Sequence, residues 1–206
     1  MPHSGSQAPA WELELPSAEG MIQSDSMILN YSAAVTCERN VLKRGGSRVM
    51  VQFEDFDISA EMSVALREAG YTEPTPVQAG LIPEALEGKD VIGQARTGTG
   101  KTASFVIPIL EQLDPPKRNK GPQSLILVPT RELAVQVRDE VVKLAHGQRV
   151  QCVAAYGGKP IRGQIEKLKR NPQLVVGTPG RVIDHIGRGT LVLNDVWCVV
   201  LDEADR

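Results

Sequence analysis

From Ser59 onward the apolar residues of this chain follow two alternating rhythms. Met62, Leu66 and Ala69 recur at helical spacing behind Ser59, a side chain suited to capping, which predicts a helix. DVIGQA (residues 90–95) predicts a short buried strand, followed by a glycine-rich turn and the helical KTASFVIPILEQL. DPPKRNKGPQ, broken by prolines, reads as a polar loop. SLILVPT then predicts a strand, and RELAVQVRDEVVKLAHG a helix with Leu133, Val137, Val141 and Leu144 on one face. The alternation continues with strand VQCVAAYGG, helix IRGQIEKLKR, strand QLVVGTP, short helix RVIDHIGRG and strand VWCVVLDEA. Strands apolar on both faces, each followed by a helix, imply an α/β fold whose parallel sheet is covered on both sides. In such sheets ligands bind at the carboxyl ends of the strands.

Residues 1–49 lack any sustained period. MPHSGSQAPAWELELPSAEG predicts disorder, and YSAAVTCERNVLKRGGSRVM is ambiguous, with a short helix as one reading. The texture changes at Met50, so residues 1–49 are expected to be a tail or a misassigned start, and residues 50–206 one domain.

Composition narrows the class. The 206 residues are 41% hydrophobic and 23% charged with a formal net charge of −2, enough for one substantial core. That balance excludes a generic polycation, though not a local phosphate-binding surface. No run is long enough to span a membrane and no export signal is visible, so a cytoplasmic protein is expected. Cys37, Cys152 and Cys198 are widely separated and read as reduced thiols; His3, His146 and His185 show no metal-ligand spacing. The basic KRNK (residues 117–120) reads as a solvated loop, and EKLKR as an exposed helix face.

Chemistry concentrates in two places. ARTGTGKT (residues 95–102) joins a strand to a helix, the context of a phosphate loop, with Ala95 where the general pattern has its first glycine. Gly98 and Gly100 let the backbone wrap around phosphate oxygens, Lys101 reaches the outer phosphates, and Thr102 offers a hydroxyl to Mg²⁺. VVLDEAD supplies the acids: Asp202 to hold Mg²⁺ through water, and Glu203 to orient and deprotonate an attacking water.

Read with the phosphate loop, DEAD at residues 202–205 resembles the signature of DEAD-box RNA helicases. Further stretches follow that family's order: GYTEPTPVQ (residues 70–78) with the upstream Phe53 resembles its adenine-recognising Q motif. PTRELA (residues 129–134), Gly157–Gly158 and TPGR (residues 178–181) resemble its RNA-contacting motifs. The resemblance implies an ATP site of Phe53, Tyr71, Gln78, Arg96, Thr97, Gly98, Thr99, Gly100, Lys101 and Thr102. Gln78 would read the adenine edge through its amide, with Tyr71 as a stacking face. Lys101, Asp202 and Glu203 would carry catalysis, Thr102 and Asp202 the Mg²⁺, and Asp205 coupling to the rest of the switch.

RNA would lie on Pro129, Thr130, Arg131, Gly157, Gly158, Thr178, Pro179, Gly180 and Arg181, mainly through its sugar-phosphate backbone. Helix N-termini and arginines suit such contacts, and Thr130 and Thr178 are also expected to cap their helices. The fold implied is a RecA-like P-loop sheet with helices on both faces, incomplete at the C-terminus. ATP hydrolysis coupled to RNA binding and duplex unwinding is the implied activity. It would need a second RecA-like lobe bearing arginine fingers, whose charge is worth a factor of about 10³–10⁵ in related phosphoryl transfer. A strand lying between the acid-bearing strand and the phosphate-loop strand is also expected to be missing, which predicts a marginal, aggregation-prone chain. Two alternatives stay open: a non-catalytic ATP- or RNA-binding fragment, and a different P-loop enzyme such as a nucleotide kinase. Gln78 and the ordered RNA motifs weigh against the second.

Overall fold

The computed structural model describes residues 33–36, 51–95, 98–114 and 121–204. Ser59 opens helix α1 (Ala60–Glu68) as the sequence predicts, its Oγ accepting a hydrogen bond from the Met62 N–H at 3.1 Å. The Glu111 carboxylate accepts from both Ser59 N–H and Oγ–H, at 2.9 and 2.8 Å, and so ties this cap to the end of helix α3 (Lys101–Gln112).

Helix α2 (Pro76–Leu86) was not foreseen, because two prolines interrupt its pattern. Pro76 occupies the first turn, where no N–H is needed. Pro83 lies in the interior, which costs about 3 kcal/mol. Burial of Val77, Leu81 and Ile82, at about 1.5–3 kcal/mol each, outweighs that cost.

Strands β3 (Ser124–Leu127), β4 (Cys152–Ala155), β5 (Leu174–Gly177) and β6 (Cys198–Leu201) form one parallel sheet in the order β4-β5-β3-β6. Helices α4 (Arg131–Leu144), α5 (Ile161–Leu168) and α6 (Pro179–Gly187) connect them. Side-chain alternation sorts the sheet into two cores. Paired residues Ile126 and Val176 join Val106, Val137 and Val141 on one face. Their neighbours Leu125 and Val175 join Leu168 and Val182 on the other. The predicted α4 face is the observed one: Val137, Val141 and Leu144 are buried, with Leu133 packed beside them.

The phosphate-loop strand β2 (Val91–Gln94) belongs to a separate two-stranded ladder. Its partner is β1 (Ala33–Thr36), in parallel register from Ala33 opposite Val91 to Thr36 opposite Gln94. This corrects the reading of that stretch as tail or short helix. A strand's N–H and C=O groups need partners, and these four residues provide them for β2. The remaining residues of 1–50 lie outside the described residues. No ladder joins β2 to β6 among the described residues.

Cys152 is partly buried, and desolvation pushes its thiol up to about 12, in keeping with an inert reduced cysteine. Among the described residues no helix is long and apolar enough to cross a membrane.

Candidate functional site

The phosphate loop reaches α3 through two left-handed glycines, Gly98 (φ +81°) and Gly100 (φ +80°). A Cβ at Gly98 would meet nothing within 4 Å, so only the backbone angle demands glycine there. At Gly100 space is limiting as well: a Cβ would come 2.5 Å from Gln78 Nε2. Lys101 and Thr102 follow as the first residues of α3, where helical N–H groups have no intrahelical acceptor. The expected Arg96 and Thr97 lie outside the described residues; Thr99 sits in the turn.

Across from the loop, β6 delivers the acids. Asp202 extends the β3–β6 pairing by donating its N–H to the Leu127 carbonyl at 2.9 Å. Half-burial pushes the Asp202 carboxyl above the usual range; Lys101 pulls it back down and Glu203 pushes it further up. Lys101, at the start of α3, thus acts on Asp202 although the strands leading to them, β2 and β6, belong to different sheets. Glu203 has φ +53°, the left-handed region that a residue with a Cβ adopts rarely. Asp205 lies outside the described residues.

Gln78 is wholly buried. Its Oε1 accepts from Thr75 N–H at 2.8 Å and its Nε2 donates to the Gly100 carbonyl at 3.1 Å. The amide expected to read a base edge thus braces the phosphate loop in this structure. Phe53 is buried too, edge-on to both Phe56 and Tyr71. The Tyr71 hydroxyl donates to Glu140 at 2.7 Å while Lys143 lies 5.1 Å from its ring centroid. Burial, and then the Glu140 carboxylate, hold that phenol above its ordinary value. Phe53 and Tyr71 pack against each other here.

The other motifs emerge at the carboxyl ends of three adjacent strands, β3, β5 and β4. Thr130 caps α4, its Oγ1 accepting from Leu133 N–H at 3.3 Å. Thr178 occupies the corresponding position on α6, with Pro179 following, but its side chain makes no cap bond, against expectation. Gly158 is left-handed (φ +80°), and a Cβ there would lie 3.5 Å from Arg131 Nη1. Arg131 is exposed and paired with its neighbour Glu132. Arg181 donates from Nη1 and Nη2 to the Lys159 carbonyl at 3.2 and 3.3 Å, joining the TPGR turn to the Gly157–Gly158 turn. Neither Gly157 nor Gly180 has an atom within 4 Å of where a Cβ would stand.

KRNK lies outside the described residues. The EKLKR helix face is solvated, as read, with Lys169 and Glu166 paired at 2.8 Å.

No group of three His, Cys, Asp or Glu among the described residues is placed to cage a metal. The half-buried Asp202 carboxylate and the Thr102 hydroxyl are oxygen donors of the kind a hydrated Mg²⁺ takes. Sequence reasoning passed over Gln164, which is buried between Ile161 and Leu168 on α5. Its signal was available: an amide where the helical stripe calls for an apolar residue.

The DEAD/DEAH box helicase profile matches residues 75–206. The DEAD-box ATP-dependent RNA helicase CshA of Geobacillus kaustophilus is 51% identical over 157 residues, 76% of this chain and 33% of that protein. Its Bacillus subtilis counterpart is 49% identical over 156 residues, 76% of this chain and 31% of that protein. Among solved structures, a DEAD box protein from the hyperthermophile Methanococcus jannaschii superposes with a TM-score of 0.70 at 46% identity. That match covers 75% of this chain and 42% of the other. A hypothetical ATP-dependent RNA helicase from Sulfolobus tokodaii gives 0.65 at 38% identity, over 72% and 42%. The chain spans about a third of the length of the curated relatives it matches.

Proposed function

Because this chain belongs to the DEAD/DEAH box helicase family, we propose that residues 50–206 form the ATP- and RNA-binding lobe of an ATP-dependent RNA helicase. The observation that carries the reading is the left-handed Gly98–Gly100 turn delivering Lys101 to the start of α3, braced by the buried Gln78, with the Asp202 carboxyl near enough for Lys101 to lower its pKa. Lys101 and the α3 N-terminus hold the triphosphate of ATP. Thr102 and Asp202 would hold Mg²⁺, which neutralises charge on the phosphates. Glu203 takes the proton of the attacking water. Phe53, Tyr71 and Gln78 belong to the adenine end, where Gln78 would report base occupancy to Gly100 through the bond it already makes.

Arg131, Arg181 and the exposed turn between them form a row of phosphate-binding groups at the carboxyl ends of β3, β5 and β4. Contacts of that kind favour sequence-independent grip on RNA. A second RecA-like lobe supplies the facing half of both sites, and Asp205 couples them. A cytoplasmic setting belongs to the same proposal. The chain's coverage of only about a third of its relatives favours one second reading: these residues alone bind ATP or RNA with little turnover. RNA-stimulated ATPase assays on wild type and Glu203→Gln decide between the two. Stimulated turnover abolished by the substitution supports the first, and binding without turnover in the wild type supports the second.

A further inference from the structure

Helix α5 buries a stripe whose polar member, Gln164, is only 7% exposed. Its Nε2 donates to the Tyr156 carbonyl at 2.9 Å. Its Oε1 is therefore the acceptor facing His185 Nε2, 3.2 Å away, which must carry the proton. Nδ1 lies 2.8 Å from the Thr190 hydroxyl, whose single proton is shared between that nitrogen and the His185 carbonyl at 3.0 Å. Burial, followed by Arg181, lowers the pKa of His185 and favours the neutral ring; Arg188 acts the same way and Asp184 opposes. The result is a connected chain of polar contacts, Thr190 to His185 to Gln164 to Tyr156, directed from His185 Nε2 onward. It links α6 and its following loop to α5, and ends on the peptide that opens the Gly157–Gly158 turn.

That last bond has a geometric consequence. The Tyr156 carbonyl and the Gly157 N–H belong to one planar trans peptide, and the described residues include no cis bond. In a trans peptide the C=O and N–H point opposite ways. Drawing the carbonyl toward the buried Gln164 turns the Gly157 N–H the opposite way, where a Cβ on Gly157 would meet no atom within 4 Å.

We propose that Gln164, held by His185 and Thr190, is a positioning residue that presents the Gly157 N–H to a phosphate of the bound nucleic acid. The inference rests on the RNA-binding reading above and adds three residues to it. The bare energetic alternative is a buried polar network that serves stability alone.

Gln164→Leu in the 206-residue chain removes both bonds. Binding of a fluorescein-labelled single-stranded oligouridylate should weaken about tenfold, the scale of one lost hydrogen bond to a charged group. Affinity for a fluorescent ATP analogue should be unchanged, and amide exchange across residues 157–159 should accelerate. Gln164→Leu/His185→Leu replaces both partners by apolar groups, so its Tm should recover toward wild type while RNA binding stays weak. Wild-type RNA affinity and wild-type turn exchange in Gln164→Leu overturn the proposal, as does recovery of RNA binding together with Tm in the double variant. If the wild-type chain binds no RNA, the reading beneath the proposal fails and takes it along. Gln164→Met, which keeps the side chain's length, carries the same test where Gln164→Leu melts below the assay temperature.

Discussion

Gln78 Nε2 donates to the carbonyl of Gly100 at 3.1 Å, so the buried start of α2 holds the residue that precedes Lys101. Gln78 also accepts from Thr75 N–H, and the two bonds make one amide a brace between two segments 22 residues apart. Gln78→Leu would leave both backbone partners without that amide in a part-buried place, at up to about 1–3 kcal/mol each. We expect a Tm several degrees lower and weaker ATP-analogue binding, read by differential scanning calorimetry and fluorescence titration. Unchanged values in both would remove Gln78 from the loop's support.

Gly100→Ala brings a Cβ to 2.5 Å from that same amide and forces a left-handed angle on alanine. Gly98→Ala imposes only the angle, since its Cβ would meet open space. Gly100→Ala should therefore lower both Tm and nucleotide affinity more than Gly98→Ala, for which about 1 kcal/mol is the expected conformational cost. Equal losses would mean that the contact with Gln78 is immaterial.

Asp202 supplies a pH test. Its folded-state carboxyl lies above the unfolded value of about 3.9 because half-burial penalises the charge. Such a group contributes stability fully below the unfolded value and loses it as pH rises through the folded one. Asp202→Asn should accordingly raise Tm at pH 7 and leave it unaltered at pH values well below the unfolded one. Thermal melts across that range without Mg²⁺ check the sign, and a lower Tm at pH 7 would refute it.

Glu203 holds a left-handed backbone at φ +53° immediately after β6. A strained residue where the acid is wanted separates chemistry from stability. Glu203→Gly should melt higher than Glu203→Ala, by about 1 kcal/mol, while both lose ATP turnover. Glu203→Gln should keep nucleotide binding and lose turnover by about 10²–10⁴-fold.

Val199 and Leu201 are 53% and 63% exposed on β6, which pairs only with β3 among the described residues. Large apolar side chains exposed on one strand invite self-association. Light scattering of the 206-residue chain should rise with concentration and fall in Leu201→Lys. A monodisperse wild-type monomer at high concentration would contradict this.

The alternation of strand and helix, the α4 face, the Ser59 cap and the motif order were legible because they depend on local spacing. Hydrophobic period and capping act within a few residues. Helix α2 was hidden because its prolines obscure the period, although Pro76 lies where a helix tolerates proline. The strand at Ala33–Thr36 was hidden because its four residues become a strand through β2, far along the chain.

The sequence by itself determined which chemical groups exist and where they fall relative to strand ends: a glycine loop with Lys101, acids after β6, and arginines at two helix starts. Only the tertiary structure decided their partners. It gave Gln78 to Gly100, Arg181 to the Lys159 carbonyl and Gln164 to Tyr156, and set Lys101 within reach of Asp202's charge. Hydrogen bonds and Coulomb attraction between distant residues depend on distance and burial, which spacing along a chain does not encode.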